Sequence, residues 1–334
     1  MPLSDQNLAA ILQTVGASSV RSIESVQSLW SGYGEIVRLN LEAGASSSVI
    51  VKWIDPPTHA NHPRGWNTDI SHQRKLQSYQ VEMAWYQHWA QRCNIYSRVP
   101  RCLFAGPLGS GQVIVMEDLD AAGFSERRDE VNRQDIEHCL LWLASFHAWS
   151  LGETPEGLWP IGTYWHLATR PDEYAAMQNT QLKDAASLID TALSACLFKS
   201  LVHGDAKLAN FCFSPVGVSA SEVAVATVDF QYVGGGCGMK DVAYFLGSCL
   251  DERQCFEQQD ELLDFYFMAL TAKVSIIHPA IDSRALEFEW RGMYALACTD
   301  FTRFLSGWLP EHWKLNGYTE SLAEQAFDQL GISI

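Results

Sequence analysis

Residues 201–210, Leu201-Val-His-Gly-Asp-Ala-Lys-Leu-Ala-Asn210, and residues 228–231, Val228-Asp-Phe-Gln231, decide how this chain folds. Apolar runs on either side predict short strands at 200–203, 211–214 and 223–229, so Asp205 and Asn210 flank a tight loop between two strands and Asp229 ends a third. A carboxylate in such a loop can accept a proton from a hydroxyl. Asn210, five residues after Asp205, can turn its amide oxygen to a metal ion, and Asp229, nineteen residues beyond Asn210, can offer a second hard oxygen. Lys207 lies two residues after Asp205, where a cation can meet an anionic group in transfer. A positioned base, two sources of oxygen for a hard cation and a charge-stabilising lysine are the parts phosphoryl transfer needs.

Working outward, the chain before this stretch is rich in strand signals. A short helix over 6–14 precedes strands within 20–54, of which Ser48-Val-Ile-Val-Lys-Trp-Ile54 is the most β-branched. Residues 55–70 hold three prolines, a glycine and several polar residues and read as a loop long enough to be functional or mobile. A helix is predicted from Ser71 to Arg92, with Tyr79, Glu82, Met83 and Tyr86 on one face. Strands at 99–104 and 112–117 follow, joined by a turn over Gly106–Gly111. Helical periodicity then takes over. Residues 132–150 carry Ile136, Cys139, Leu140, Leu143, Phe146 and His147 on one stripe, and further helices are predicted at 171–197, 239–250, 255–275, 284–306 and 318–330.

Composition bounds the function classes. The 334 residues are 47% hydrophobic, enough for a substantial core and for two lobes or domains. A formal net charge of -16 and a pI near 5.0 argue against nucleic acid and against a polybasic membrane anchor, and leave room for a cationic substrate. No run approaches the roughly 18 apolar residues of a membrane span. The opening MPLSDQNLAA reads as neither a signal peptide nor a myristoylation signal. Nine scattered cysteines without a C-x-x-C pair speak against a zinc site and fit buried, reduced thiols in a cytoplasmic protein.

His203-Gly-Asp205-x-Lys207-x-x-Asn210 resembles the catalytic loop of the aminoglycoside phosphotransferase and choline kinase superfamily, and parallels the H-R-D loop of protein kinases. Asp229-Phe-Gln231 resembles their metal-binding D-F-G. With Glu117-Asp-Leu119 after a strand and Leu143-Ala-Ser-Phe-His-Ala148 on a helix, the pattern looks most like the ecdysteroid-kinase-like branch, over roughly Gly32 to Leu250. The resemblance implies a two-lobed, protein-kinase-like α+β fold. Residues 1–118 would form an ATP-binding lobe with a small antiparallel sheet, and residues 119–334 a mainly helical catalytic and substrate-binding lobe. It implies a kinase using ATP and Mg²⁺, or Mn²⁺ in its place, with a small-molecule hydroxyl as acceptor and neither nucleic acid nor membrane as partner; nothing in the motifs speaks to an oligomer.

Residue by residue, Asp205 becomes the base, Lys207 the charge stabiliser, and Asn210 and Asp229 the metal ligands, while His203 supports the loop backbone. Lys52 would reach the α- and β-phosphates and pair with Glu82; read without the family, a strand lysine is usually a solvated edge charge. Gly32 and Gly34, in Ser31-Gly-Tyr-Gly-Glu-Ile36, would cover the phosphates, although two glycines in a hairpin also make an ordinary turn. The backbone of Glu117 and Leu119 would bind adenine. Asp241 reads as a helix N-cap that also steadies the loop. Gly234–Gly238, four glycines in five residues, reads equally as a gate or a plain linker.

The acceptor is read from aromatic content. Trp159-Pro-Ile-Gly-Thr-Tyr-Trp165 sits in a Pro/Gly-rich loop and reads as a pocket wall, which favours an alcohol with an apolar body. Such a wall could instead cage a quaternary ammonium, as in a choline- or aminoglycoside-type kinase. A binding protein that kept the fold but lost catalysis should lack Lys52, Asp205, Asn210 or Asp229, and all four are present. Protein kinase activity is disfavoured by the missing A-P-E segment and by glycine in place of the H-R-D arginine.

Overall fold

The structure is a computed structural model that describes residues 4–29, 32–56, 69–215 and 223–332. It comprises two compact units, Met1–Arg127 with Cys212–Gln231, and Arg128–Phe211 with Tyr232–Ile334. The fold is α+β, with an antiparallel sheet in the first unit and helices dominating the second.

The first unit opens with α1 (Asp5–Val15), capped by Ser4, whose side chain accepts from the Asn7 N–H, and closed by Gly16 in the left-handed region. Its five strands, β1 (Ser19–Ser28), β2 (Gly34–Glu42), β3 (Ser48–Ile54), β4 (Cys102–Leu108) and β5 (Gly111–Glu117), pair in the order β1-β2-β3-β5-β4. Successive side chains of a strand point to opposite faces. Val37, Leu39 and Leu41 of β2, Val49, Val51 and Trp53 of β3, and Val113 and Val115 of β5 therefore share one face, where they bury against Ile11 of α1. Each such burial stabilises by about 1.5–3 kcal/mol. The same alternation sends Lys52 to the opposite face, level with Ile36 and Ile114. β3 lies inside the sheet, so Lys52 is not a solvated edge charge; it is buried.

Three local expectations shift in this unit. The predicted helix 71–92 is α2 (Asp69–Ala84), followed by a π-helical stretch over Trp85–Trp89 and a 3₁₀ turn over Ala90–Arg92. Trp85, Tyr86 and Trp89 bury within one turn there, and the widened turn accommodates them. β4 starts three residues later than predicted and runs through Gly106-Pro107-Leu108 instead of turning there. Pro107 is tolerated because β4 is an edge strand. Of the expected loop 55–70, residues 57–68 lie outside the described residues, as does Ser31. β7 (Phe211–Phe213) and β8 (Val225–Thr227) form a second, two-stranded sheet.

In the second unit, α3 (Arg133–Trp149) packs on α7 (Glu252–Ile277), and α8 (Ser283–Trp308) packs on α5 (Thr180–Ser194), α6 (Met239–Cys249) and α9 (Gly317–Leu330). The predicted helix 171–197 is broken. α4 (Pro171–Ala176) ends before Asn179, whose side chain caps α5 by accepting the Leu182 N–H. Gly234–Gly236 is not a plain linker but strand β9, paired with β6 (Ser200–Val202). Glycine is required there by close approach, since a Cβ on Gly234 would lie 2.2 Å from the Trp159 carbonyl oxygen. All nine cysteines are free, and no helix among the described residues is long and apolar enough to cross a membrane.

Candidate active site

The first unit brings Lys52, Glu82 and Asp229 together. Lys52 Nζ lies 2.6 Å from Glu82 Oε2 and 3.9 Å from Asp229 Oδ1. Lys52 and Glu82 are only 3% and 2% exposed, so each needs the other. Burial pushes the Glu82 carboxyl up, and the charge of Lys52 pulls it back. Asp229 has φ 69°, a left-handed backbone that aspartate tolerates better than most residues. Its neighbour Phe230 is buried and stacks on Trp85 at 4.3 Å between centroids, which anchors the turn. Gln231, where the related motif has glycine, donates to Asp229 Oδ1 at 2.8 Å and accepts from Lys75 Nζ at 2.8 Å.

The other residues expected to act in this unit carry structural partners of their own. Gly34 has φ 141°, and a Cβ there would meet the Trp53 carbonyl oxygen at 2.0 Å, so it is required by its neighbour strand; Gly32 has φ 76° and open space around it. The Glu117 carboxylate holds the Arg98 guanidinium at 2.6 Å and the Arg101 N–H at 3.0 Å, while its own N–H donates to the Arg101 carbonyl. The Leu119 carbonyl accepts from the Phe124 N–H at 2.8 Å, and its N–H meets no acceptor among the described residues. Between them, Asp118 accepts from Arg38 Nε and from the Ser48 hydroxyl, both at 2.7 Å. Burial opposes its ionisation, yet these bonds hold its carboxyl below the usual range.

The second unit holds the 201–210 loop. Asp241 accepts the His203 N–H at 2.6 Å and the Gly204 N–H at 2.9 Å. His147 Nε2 donates to the same carboxylate at 3.1 Å, and its Nδ1 lies 2.8 Å from the Tyr266 hydroxyl. Asp241, His147 and His203 are wholly buried, so this network fixes the loop from beneath. Asp241 is not the N-cap of α6; Gly238 is, and Asp241 lies in the first turn, aimed at the loop. Gly204 has φ 79°, and a Cβ there would sit 2.1 Å from the Tyr232 carbonyl oxygen, which explains glycine between histidine and aspartate. His203 Nδ1 accepts the Asp205 N–H at 3.2 Å, a supporting role.

At the loop's tip, Lys207 Nζ lies 3.1 Å from Asp205 Oδ2. Asn210 Nδ2 donates to the Asp205 carbonyl at 2.7 Å and to its Oδ2 at 3.1 Å. With the amide nitrogen so committed, Asn210 presents its Oδ1, a hard oxygen suited to Mg²⁺. The partly exposed Asp229 carboxylate, described above in its own unit, offers the same donor chemistry.

The ecdysteroid kinase-like family matches residues 44–154 and 165–278, about two-thirds of the chain. The chain belongs to the ecdysteroid kinase-like family. No curated protein matches its sequence. Among solved structures, this ecdysteroid kinase-like chain is similar to a choline kinase from Cryptosporidium parvum Iowa II, at 9% identity and a TM-score of 0.53, over 97% of this chain and 95% of that one. It is similar to a microcompartment-associated aminopropanol kinase, at 14% identity and a TM-score of 0.51, over 98% and 99%. It is also similar to an amicoumacin kinase in complex with AMP-PNP and Ca²⁺, at 13% identity and a TM-score of 0.51, over 99% and 94%. At such identities the likeness establishes a shared kinase-like fold.

Within this ecdysteroid kinase-like protein, a further expectation is overturned and two residues went unread. Trp165, expected in a pocket wall, is wholly buried with its indole N–H on Asp300 at 3.1 Å; Trp159 stacks on Tyr232. The rings associated with Asp205 are Tyr164 and Tyr244, whose hydroxyls are 3.3 Å apart. Burial first, then the charge and hydrogen bond of Asp205, push the Tyr244 phenol well above its ordinary value. Lys314 Nζ lies over the Tyr244 ring, 5.4 Å from its centroid. Neither Tyr244 nor Lys314 lies in a motif. Only the Asp-xx-Tyr spacing of Asp241 and Tyr244 on one helix hinted at the first.

Proposed function

We propose that this protein is an ATP-dependent phosphotransferase that acts on a hydroxyl of a small molecule with an apolar body. The observation that carries the reading is the Asp205 carboxylate. It is held by Asn210 and Lys207 on a loop whose backbone is tied to Asp241 through two consecutive N–H groups. Asp205 takes the acceptor's proton as its oxygen forms a bond to the γ-phosphorus, and the bond from that phosphorus to the bridging oxygen of ADP breaks. Lys207 stabilises the charge on the transferring group. Lys52, oriented by Glu82, binds the α- and β-phosphates, and the backbone of Glu117 and Leu119 receives adenine, a role the uncommitted Leu119 N–H suits. Asn210 Oδ1 and Asp229 would hold Mg²⁺, or Mn²⁺ in its place, which when bound neutralises the phosphate oxygens. Gly32 leaves room for the phosphates beside its backbone. The aromatic side chains Tyr164, Tyr244 and Phe301 support an apolar body on the acceptor. Nine free thiols support a cytoplasmic setting.

The reading is tested by ATP consumption across a panel of sterol-like and other apolar alcohols. Asp205→Asn keeps the shape but accepts no proton, so turnover should fall by about 10²-fold or more with ATP affinity little changed. Near wild-type turnover in that variant would remove Asp205 as the base. Asp229→Ala should lose Mg²⁺-dependent ATP binding, and an unaltered Mg·ATP titration would remove Asp229 as a ligand.

A further inference from the structure

The segment between α8 and α9 places a lysine in an unusual setting. Lys314 Nζ lies 5.4 Å from the Tyr244 ring centroid, 5.7 Å from that of Phe301 and 5.4 Å from that of Trp313. Three rings around one ammonium make a cation–π cage. Its backbone is pinned at both ends, with its N–H donating to His312 Nδ1 at 3.1 Å and its carbonyl accepting from the Thr319 hydroxyl at 3.0 Å. Among the described residues, no ion pair or hydrogen bond forms to Nζ, so its three donors have no protein acceptor. The cage is tied to the proposed base through Tyr244, whose ring carries Lys314 and whose hydroxyl interacts with Asp205. Burial pushes the ammonium down to about 8, with Lys207 adding to the fall and Asp205 opposing it. A half-buried ammonium with no carboxylate within ion-pair distance is costly to keep, and a ligand oxygen would relieve that cost.

We propose that Lys314 is a specificity-determining residue of the acceptor site: its ammonium fills the aromatic cage that a cationic alcohol would need, and it donates instead to a carboxylate or carbonyl oxygen of the acceptor. The inference rests on Asp205 marking the acceptor site. A cation entering the site meets both a filled cage and a like charge. An acceptor with an electron-rich oxygen beside its hydroxyl supplies what the three free N–H donors lack.

Binding of two probes, tetramethylammonium and cyclohexanecarboxylate, can be read by tryptophan fluorescence and saturation-transfer NMR without ATP or turnover. Wild-type protein should bind the carboxylate and discriminate against the ammonium. Lys314→Ala, which empties the cage, should bind tetramethylammonium at least about 10-fold more tightly than wild type and the carboxylate about 10-fold more weakly. Lys314→Met, which refills the cage with an apolar chain and guards against a folding defect in the alanine variant, should lose the carboxylate and gain no ammonium. Lys314→Arg should restore carboxylate binding. Wild-type affinity for tetramethylammonium equal to that of Lys314→Ala, or carboxylate binding unchanged by both neutral variants, overturns the proposal. A protein that passes these titrations yet phosphorylates no alcohol would fail the phosphotransferase reading and leave the cage standing.

Discussion

Lys52 on β3 and Lys314 between α8 and α9 are both lysines held against aromatic rings, in different units of the protein. Lys52 lies 5.7 Å from the Tyr79 centroid and also has a carboxylate, Glu82, at 2.6 Å. Lys314 has three rings and, among the described residues, no carboxylate within ion-pair distance. A buried ammonium can be kept by a fixed counter-ion or, more weakly, by the quadrupoles of several rings. The first arrangement consumes the charge within the protein and makes the lysine a rigid part of the fold. The second leaves its donors available. The contrast separates a lysine neutralised within the fold from one whose donors remain available to a ligand.

The comparison breaks most readily at the ion pair. Glu82→Ala strands Lys52 in a buried site, and unfolding by urea should show a loss of about 3–5 kcal/mol. A loss below about 1 kcal/mol would mean that Lys52 is kept by Tyr79 and the rings, as Lys314 is, and the distinction would collapse.

A smaller effect is expected at Gln231, which ties Asp229 to Lys75 on the Lys52 side. Gln231→Ala should weaken Mg·ATP binding by about 10-fold, equivalent to about 1.4 kcal/mol, by letting the Asp229 carboxylate turn. Isothermal titration that returns the wild-type affinity would show that the strained backbone alone orients Asp229.

The smallest effect sharpens the Lys314 side. Its ammonium titrates near 8 when folded and near 10.4 when unfolded. Below pH 8 both states are protonated and the folded state carries the full cost of burying the charge. Between about pH 8 and 10.4 the unfolded chain binds more protons, so this residue's contribution to stability rises with pH. Lys314→Met should therefore be slightly more stable than wild type at pH 7, and the difference in Tm should shrink between pH 8 and 10. The subtraction matters, because buried thiols act in the opposite direction. Burial pushes Cys93 and Cys298 up to about 12 and Cys212 and Cys255 to about 11, so their stabilising contribution, intact below the ordinary thiol value, is lost as pH rises through those values. A Tm difference between the two proteins that stays flat across this range would place Lys314 in solvent-like surroundings.

What the sequence determined by itself is local in register or spacing. Asp205, Lys207 and Asn210 fall within six residues, so one loop brings them together and a motif can encode it. The helix-rich and strand-rich portions were legible for the same reason, since periodicity of 2 or 3.6 is a nearest-neighbour property. The pairing of Lys52 with Glu82 came from the family resemblance; strand position alone read Lys52 as a solvated edge charge, and the sheet order is what buries it beside Glu82. The tertiary structure decided the rest. Trp159 and Trp165 looked like a wall because their loop is rich in proline and glycine, but burial depends on what packs over a loop, and Trp165 is enclosed with Tyr244, Phe304 and Leu305. Gly234–Gly236 looked flexible because glycine lacks a side chain, yet the approach of residues 159–162 turns that same lack into a packing requirement. The cage around Lys314 joins α6, α8 and the segment before α9, with Tyr244 seventy residues from Lys314 along the chain. Cation–π contacts have neither a fixed spacing nor a partner of opposite charge, so only the packing of those helices could assemble them.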